Sequence, residues 1–551
     1  MIVDRYVIKL AQPRKVSRYP WLWLGVTGAA FLLFVLTLSK NYSVASLEFV
    51  TEIEQGDWTM MLHRHKMLVH PMGWFFFKLW QILGWQGKAL LPLQVFNALA
   101  GAACAGLMYQ TARLLTRSTV VSLISAAGFT CSFGLWLYST EAEFVTLPLA
   151  EAMLILYFVL RASLEPHTDL RLPALLGAAT AIAVLTFFTN LVLVPVALVG
   201  LWIAPELNRR ERARQAAAYL TTFTGLLVPV YLAVMIFVYG VHDLTALQSW
   251  HLYGGQGAGV FYGTVEPANL IYGTYALLRT LLGYPGLGLN DSTANFLRQD
   301  SWGGPFLLFG YYLLILGITL SPLTGALRFR HELWQKYRSA LLTMAPWVVL
   351  HALFAFYWVP KDLKFWLPEL VPWCLLTSLL LIELPHEWGF KGFTKKNLGP
   401  FPPIWLATAT VVVFFVVNGA GNIFPHANLQ NNTNYQVAQS FARRTQPRDL
   451  VITIDKNMYI SYFAGRQTIF LLERMLEPGA SESQVFTQVD AEMEAARVQG
   501  GKIYLLGFQT GQDSYTQLMD KAGLSPQDFA RYHIVTAWVE SGVVISEILP
   551  E

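Results

Sequence analysis

The run WLWLGVTGAAFLLFVLTL, residues 21 to 38, carries no charged side chain. A helix needs about 20 apolar residues to cross the ~30 Å hydrocarbon core of a bilayer, so this run reads as a membrane span. Ten further apolar runs follow, near residues 90–113, 119–138, 144–162, 172–188, 190–204, 216–240, 304–326, 339–358, 365–384 and 402–420. Together with 21–39 they predict about eleven transmembrane helices in an α-helical polytopic protein. Composition agrees: 54% of the 551 residues are hydrophobic and 13% are charged, against about 25% charged in a soluble domain.

Lysine and arginine in short loops set the expected orientation. Residues 1–20 hold Arg5, Lys9, Arg14, Lys15 and Arg18, which predicts a cytoplasmic N-terminal segment. The basic stretches 112–118, 208–215, 328–338 and 387–397 fall on the same side of an eleven-span chain. The C-terminus is then expected to be extracytoplasmic, outside a bacterial plasma membrane. No small-residue cleavage pattern follows the first span, so it reads as a retained anchor. The net charge of +4 reflects these basic loops and predicts no nucleic-acid partner. Cys104, Cys131 and Cys374 all fall inside predicted spans, where apolar packing is the expected use of a thiol.

Beyond the 21–423 membrane part, residues 424–551 change character. Their pattern predicts a small α/β domain: a helix from NYQVAQSFARR, strands LVITID, TIFLLE and KIYLLGF, a helix in SQVFTQVDAEMEAARV, another near 513–522, and strands HIVTAWVE and VVISEIL. No G-x-G-x-x-G follows the first strand, so nothing supports a nucleotide site. Two long outer loops are expected, at 40–89 and 241–303. The second contains ANLIYGTYALLRTLLG, expected to lie along the membrane surface, because counting it as a span would put the basic 328–338 stretch outside.

The first outer loop gathers polar chemistry in an otherwise apolar chain. Glu48 and Glu52 are four residues apart, which puts both carboxylates on one helical face. Glu54 and Asp57 follow, then HRHKMLVHPMGW (63–74) and an aromatic stretch to Trp85 suited to a helix at headgroup level. A sugar carried on a polyprenyl phosphate would present its scissile bond at that level. Acceptor attack there calls for a carboxylate base, and the departing phosphate calls for cations. Glu48, Glu52 and Asp57 offer the first; Arg64, Lys66 and the histidines offer the second.

On these residues the chain resembles the GT-C glycosyltransferases, the polytopic class that includes protein O-mannosyltransferases and aminoarabinose transferases. HPMGW resembles the His-Pro-x-Gly stretch that follows the acidic motif in several branches. STEAEFVTLPLAE (139–151) supplies Glu141 and Glu143 where the class has a second acidic position, TFFTN (186–190) supplies Asn190 at an outer turn, and FYWVPKDLKFWLPELVP (356–372) supplies Lys361 and Lys364. The resemblance implies an inverting transferase that moves a sugar from a polyprenyl-phosphate donor to a lipid, glycan or protein acceptor. It implies Glu48 as preferred base, Asp57 and Glu143 positioning sugar or acceptor, and Arg64, Lys361 and Lys364 on phosphate. Glu52, Glu141, Asn190, His63, His65 and His70 would line the pocket. The chain departs from the class in offering Glu48 where an aspartate is common soon after the first span.

Plainer readings exist for each. Lysines at span ends snorkel, and loop acids are ordinarily solvated. H-R-H spacing places neighbours on opposite helix faces and no H-E-x-x-H occurs, so no metal ligand set is read; the resemblance implies no certain cofactor and leaves a divalent metal open. The rival function is a transporter or flippase, which predicts inverted repeats and broken helices meeting at the bilayer midplane. A noncatalytic scaffold is the third.

Overall fold

The computed structural model describes residues 21–165, 168–243, 266–283, 303–387, 402–454, 458–475, 481–506, 524, 526–529 and 531–550. The basic segments 1–20 and most of 387–397, and the expected helix near 513–522, lie outside them. Each of the eleven apolar runs folds as a helix or a bent helix pair. Six helices are long and apolar enough to cross a membrane: Leu90–Thr116, Thr146–Leu164, Arg209–Val238, Arg330–Trp358, Leu363–Glu383 and Ile404–His426. The run expected as one span at 119–138 is two helices, Thr119–Thr130 and Phe133–Thr140, bent by 61°. Leu22–Leu36, Arg171–Thr186, Phe188–Trp202 and Leu313–Arg328 are apolar but shorter. The stretch expected as a basic loop at 328–338 is instead the start of the Arg330–Trp358 helix, which kinks at Tyr337.

Small residues let these helices approach closely, the packing mode that works where lipid is as apolar as leucine. A β-carbon on Gly177 would lie 2.4 Å from the Tyr219 carbonyl oxygen of the neighbouring helix. Buried amides then satisfy backbone groups that the broken helices leave open. Gln94 donates to the Ser39 and Thr140 carbonyls, Asn97 to the Glu141 carbonyl, and Asn418 to the Cys131 and Leu281 carbonyls while accepting from Gly283 N. Ala268–Leu281, the stretch expected at the membrane surface, packs on both Phe133–Thr140 and the Arg330–Trp358 helix.

Residues 44–82 fold as three successive helices that form a shelf. Ser43 caps the acidic helix Val44–Gln55 by accepting from Ser46 N, and Gly56 ends it at φ 69°, a left-handed conformation that costs glycine little. The aromatic helix Val69–Ile82 follows, with Pro71 tolerated in its first turn.

The C-terminal residues form a five-stranded sheet of order β2-β1-β3-β5-β4. β1 (Leu450–Thr453) pairs in parallel with β2 (Gln467–Phe470) and β3 (Ile503–Leu506); β4 (Ile534–Glu540) and β5 (Val543–Ile548) add antiparallel strands. Both faces of β1 are covered, so it reads as an unbroken apolar run. The Glu482–Val498 helix packs on the face holding Leu450 and Ile452, the Thr433–Arg444 helix on the face holding Val451. TIFLLE was expected as one strand, but its second half is the short helix Leu471–Met475. The face under Thr433–Arg444 shares one core with Leu47, Phe49, Val50 and Ile53 of the acidic helix.

Candidate functional site

The acidic helix, the turn after Thr140 and the turn before Leu370 converge on the ring of Phe144. Lys66 Nζ lies 3.9 Å from that ring's centroid and Lys364 Nζ 5.8 Å from it. Each lysine therefore approaches one π-face while acids surround both. Lys364 is ion-paired with Glu143 at 3.2 Å and with Asp362 at 3.0 Å. Glu143 also accepts from Ser43 Oγ at 3.4 Å, Glu141 accepts from Ser46 Oγ at 3.1 Å, and Tyr138 donates to Asp362 at 3.4 Å.

Lys66 has no ion pair within this set, yet it feels Glu52, Glu48 and Glu143 as attracting charges and Lys364 as a repelling one. Burial is the larger effect and pulls its pKa down to about 8. Burial pushes the Glu141 carboxyl up to about 8, with the Glu143 charge adding to the rise. Glu141 thus stays protonated at neutral pH and holds Ser46 rather than acting as a base.

On the acidic helix, Glu52 Oε2 sits 2.7 Å from His70 Nε2. His70 is 1% exposed and stands edge-on to Phe49 at 4.7 Å. Burial, reinforced by the Lys66 charge, lowers its pKa, and the hydrogen bond and charge of Glu52 only partly offset that. His63 is driven down to about 2, first by burial and then by Lys66, so it is a neutral lining group. Arg64 is buried and turns its Nε onto His65 Nε2 at 2.9 Å. The His65 ring lies 6.4 Å from Trp358.

Beside Lys364 opens a narrow cleft of about 30 Å³ that is partly open to solvent. Phe144, Phe187, Phe354 and Phe365 wall it, and His351 and Asn190 contribute polar atoms. Both donors of the Asn190 amide are spent on the Pro148 and Ala183 carbonyls at 3.3 and 3.0 Å. Its visible work is to close backbone gaps.

Of the twelve site residues expected from sequence, Glu48, Glu52, Glu141, Glu143, His63, His65, His70, Arg64 and Lys364 gather on this shelf, and Asn190 lies in the adjoining cavity wall. Asp57 and Lys361 make none of the contacts around Phe144 described above. Asp57 is exposed and caps the single turn Trp58–Met61, and the Thr59 hydroxyl and amide hold its carboxyl below the ordinary carboxylate range. Lys361 is exposed and rests on Tyr272 at 4.2 Å. Sequence reasoning passed over Asp362, Ser43, Ser46 and Tyr138. The D-x-K spacing of Asp362 and Lys364 and the S-x-x-S before the acidic run were the available signals. Among the described residues no group of three or more His, Cys, Asp or Glu has metal-holding geometry.

No family model and no curated protein sequence matches the chain. Solved structures do. ArnT from Cupriavidus metallidurans, bound to undecaprenyl phosphate, aligns at a TM-score of 0.56 and 11% identity over 96% of this chain and 98% of that one. The archaeal oligosaccharyltransferase AglB from Archaeoglobus fulgidus, in complex with an inhibitory peptide and a dolichol-phosphate, aligns at 0.53 and 12% identity over 96% and 74%. At these identities the likeness is one of architecture, and it extends over nearly the whole chain: this protein has the polytopic GT-C glycosyltransferase fold.

Proposed function

We propose that the protein transfers a sugar from a polyprenyl-phosphate donor to an acceptor at the extracytoplasmic face of a membrane, with inversion at the anomeric carbon. One observation carries the reading: carboxylates and two lysines converge on Phe144 beside an apolar cavity. An amphiphile with an anionic head and an isoprenoid tail matches that juxtaposition. The ArnT and AglB structures, which hold undecaprenyl phosphate and a dolichol-phosphate, support it by likeness of fold.

In this mechanism the phosphate rests on Lys66, with Lys364 beside it, and the first isoprene units lie along the phenylalanine-walled cleft. Glu48 takes the acceptor proton as the acceptor oxygen attacks the anomeric carbon. The bond to phosphate breaks, and the lysines stabilise the charge left on the lipid phosphate. Glu52, beside His70, keeps a second negative charge near the developing oxocarbenium ion. Glu143 stays on Lys364 and orients it. The acceptor is a lipid, glycan or protein.

The test is reconstitution in lipid nanodiscs with a polyprenyl-phosphate-linked sugar and candidate acceptors, following sugar transfer and anomeric configuration. Transfer with inversion, lost in Glu48→Gln, is expected. Failure to bind polyprenyl phosphate, together with a Phe144 site that thiol reagents reach from both sides of the membrane after cysteine substitution, would sink the transferase reading and favour transport.

A further inference from the structure

The acidic helix is gripped at both ends by the C-terminal unit, and by one short turn of it. That turn is the π-helical Ile460–Ala464, closed by Gly465 at φ 63°. Just before it, the Tyr459 hydroxyl accepts from Tyr42 N at 2.7 Å and donates to Tyr42 O at 2.8 Å. Asn432 reinforces the point, donating to Tyr459 Oη at 3.0 Å and to the Lys40 carbonyl at 2.6 Å. These bonds fix the chain where it enters the helix, whose N-cap is Ser43.

At the far end, the Tyr462 hydroxyl donates to Glu54 Oε1 at 2.9 Å, an oxygen that also accepts from Ala89 N at 2.6 Å. Lys88 lies over the Tyr462 ring at 4.1 Å and bonds the Tyr462 carbonyl. Both tyrosines are at most 5% exposed. Helical spacing of about 100° per residue sets Glu54 roughly 200° from Glu52. The gripped side chain is therefore on the face opposite the site, while Glu48 and Glu52 lie between the two grips and point away from them.

We propose that Tyr459 and Tyr462 are positioning residues: through them the C-terminal unit sets the pose of Glu48 and Glu52 over the donor site. The proposal rests on the reading above, in which the acidic helix supplies the base. Two fixed points set both the tilt and the rotation of a twelve-residue helix, and a misplacement of about 1 Å can cost on the order of 100-fold in rate. The unit thus acts on the rate of transfer rather than on capture of the acceptor.

Tyr459→Phe, Tyr462→Phe and the double variant keep both rings and delete only the hydroxyls. Full-length protein in nanodiscs is compared with wild type by amide hydrogen exchange over residues 44–55, single-turnover transfer and polyprenyl phosphate binding. Tyr462→Phe deletes one hydrogen bond and is expected to speed exchange of the acidic helix about five-fold, the factor given by losing one ordinary hydrogen bond, whereas Tyr459→Phe deletes three and should speed it more. The double variant exchanges faster still. The single-turnover rate falls in the same order, with the Kd for polyprenyl phosphate and the acceptor KM unchanged. Unchanged exchange overturns the clamp whatever the enzyme does. Faster exchange with an unchanged rate, or a raised acceptor KM with kcat intact, overturns the positioning role. A wild-type protein that transfers no sugar, with variants that still loosen the helix, fails the transferase reading and leaves the clamp standing.

Discussion

Asn418 and Lys66 are both polar groups at sites where apolar packing was available, and they are treated in opposite ways. Asn418 is 0% exposed and has three hydrogen bonds, to Cys131 O, Leu281 O and Gly283 N. Lys66 is half-buried, faces one aromatic ring and has only longer-range attraction to three carboxylates. A buried polar group that is fully satisfied joins elements together. One held short of satisfaction retains free energy that an arriving ligand can release.

The largest effect should come from the site around Phe144. Glu48→Gln removes the proposed base at nearly constant volume and is expected to lower single-turnover transfer by about 10²- to 10⁴-fold, with polyprenyl phosphate binding unchanged. If Glu52→Gln gives the large loss and Glu48→Gln does not, the base moves one turn along the helix. Lys66→Met comes next: donor phosphate affinity should fall by about 10- to 100-fold, as for a charge-assisted contact of about 1.5–3 kcal/mol. The pH dependence sharpens this. The wild-type lysine is cationic below about 8, so affinity should weaken as pH rises through that value, and the Met variant should be flat across it. A variant with undiminished affinity would show that Lys364 alone holds the phosphate.

Much of this contrast lay outside what the sequence could disclose. The apolar runs were legible because the bilayer demands length and hydrophobicity locally, and the alternating C-terminal strands were legible for the analogous reason in a covered sheet. The 61° break after Thr130 was not, since neither proline nor glycine stands at residues 131–132. In the site, acids and cations could be found by type, but their division of labour depends on partners far along the chain. Glu143 and Lys364 are 221 residues apart. Arg64 and Lys66 are two residues apart in one motif, yet one is turned onto His65 and the other onto Phe144. Asp57 looked like a candidate base, although its D-x-T spacing is also that of an ordinary cap.

On the satisfied side, Asn418→Leu leaves two carbonyls and one amide without their side-chain partner. It should lower stability by about 1–3 kcal/mol, read as a drop in the thermal unfolding midpoint with the single-turnover rate of the remaining folded protein intact. A loss of transfer without a loss of stability would mean that the polar glue of the bundle also shapes the site, and the division drawn above would be too clean.

Glu141 belongs to both groups: it is 2% exposed and bonded to Ser46, yet lies next to Glu143 in the site. Its carboxyl titrates near 8 in the fold against an ordinary 4.5. Between those values the folded protein keeps a proton that the unfolded chain releases. Stability is therefore fullest below pH 4.5, declines as pH rises toward 8 and is level above it, with a slope of at most about 1.4 kcal/mol per pH unit. Glu141→Gln keeps the shape and an acceptor for Ser46 without a titrating proton, so its unfolding midpoint should decline less steeply than that of wild type across this window. Parallel curves would mean that the Glu141 carboxyl is ionised in the fold, and Glu141 would then join Glu143 as a second anion facing the lysines.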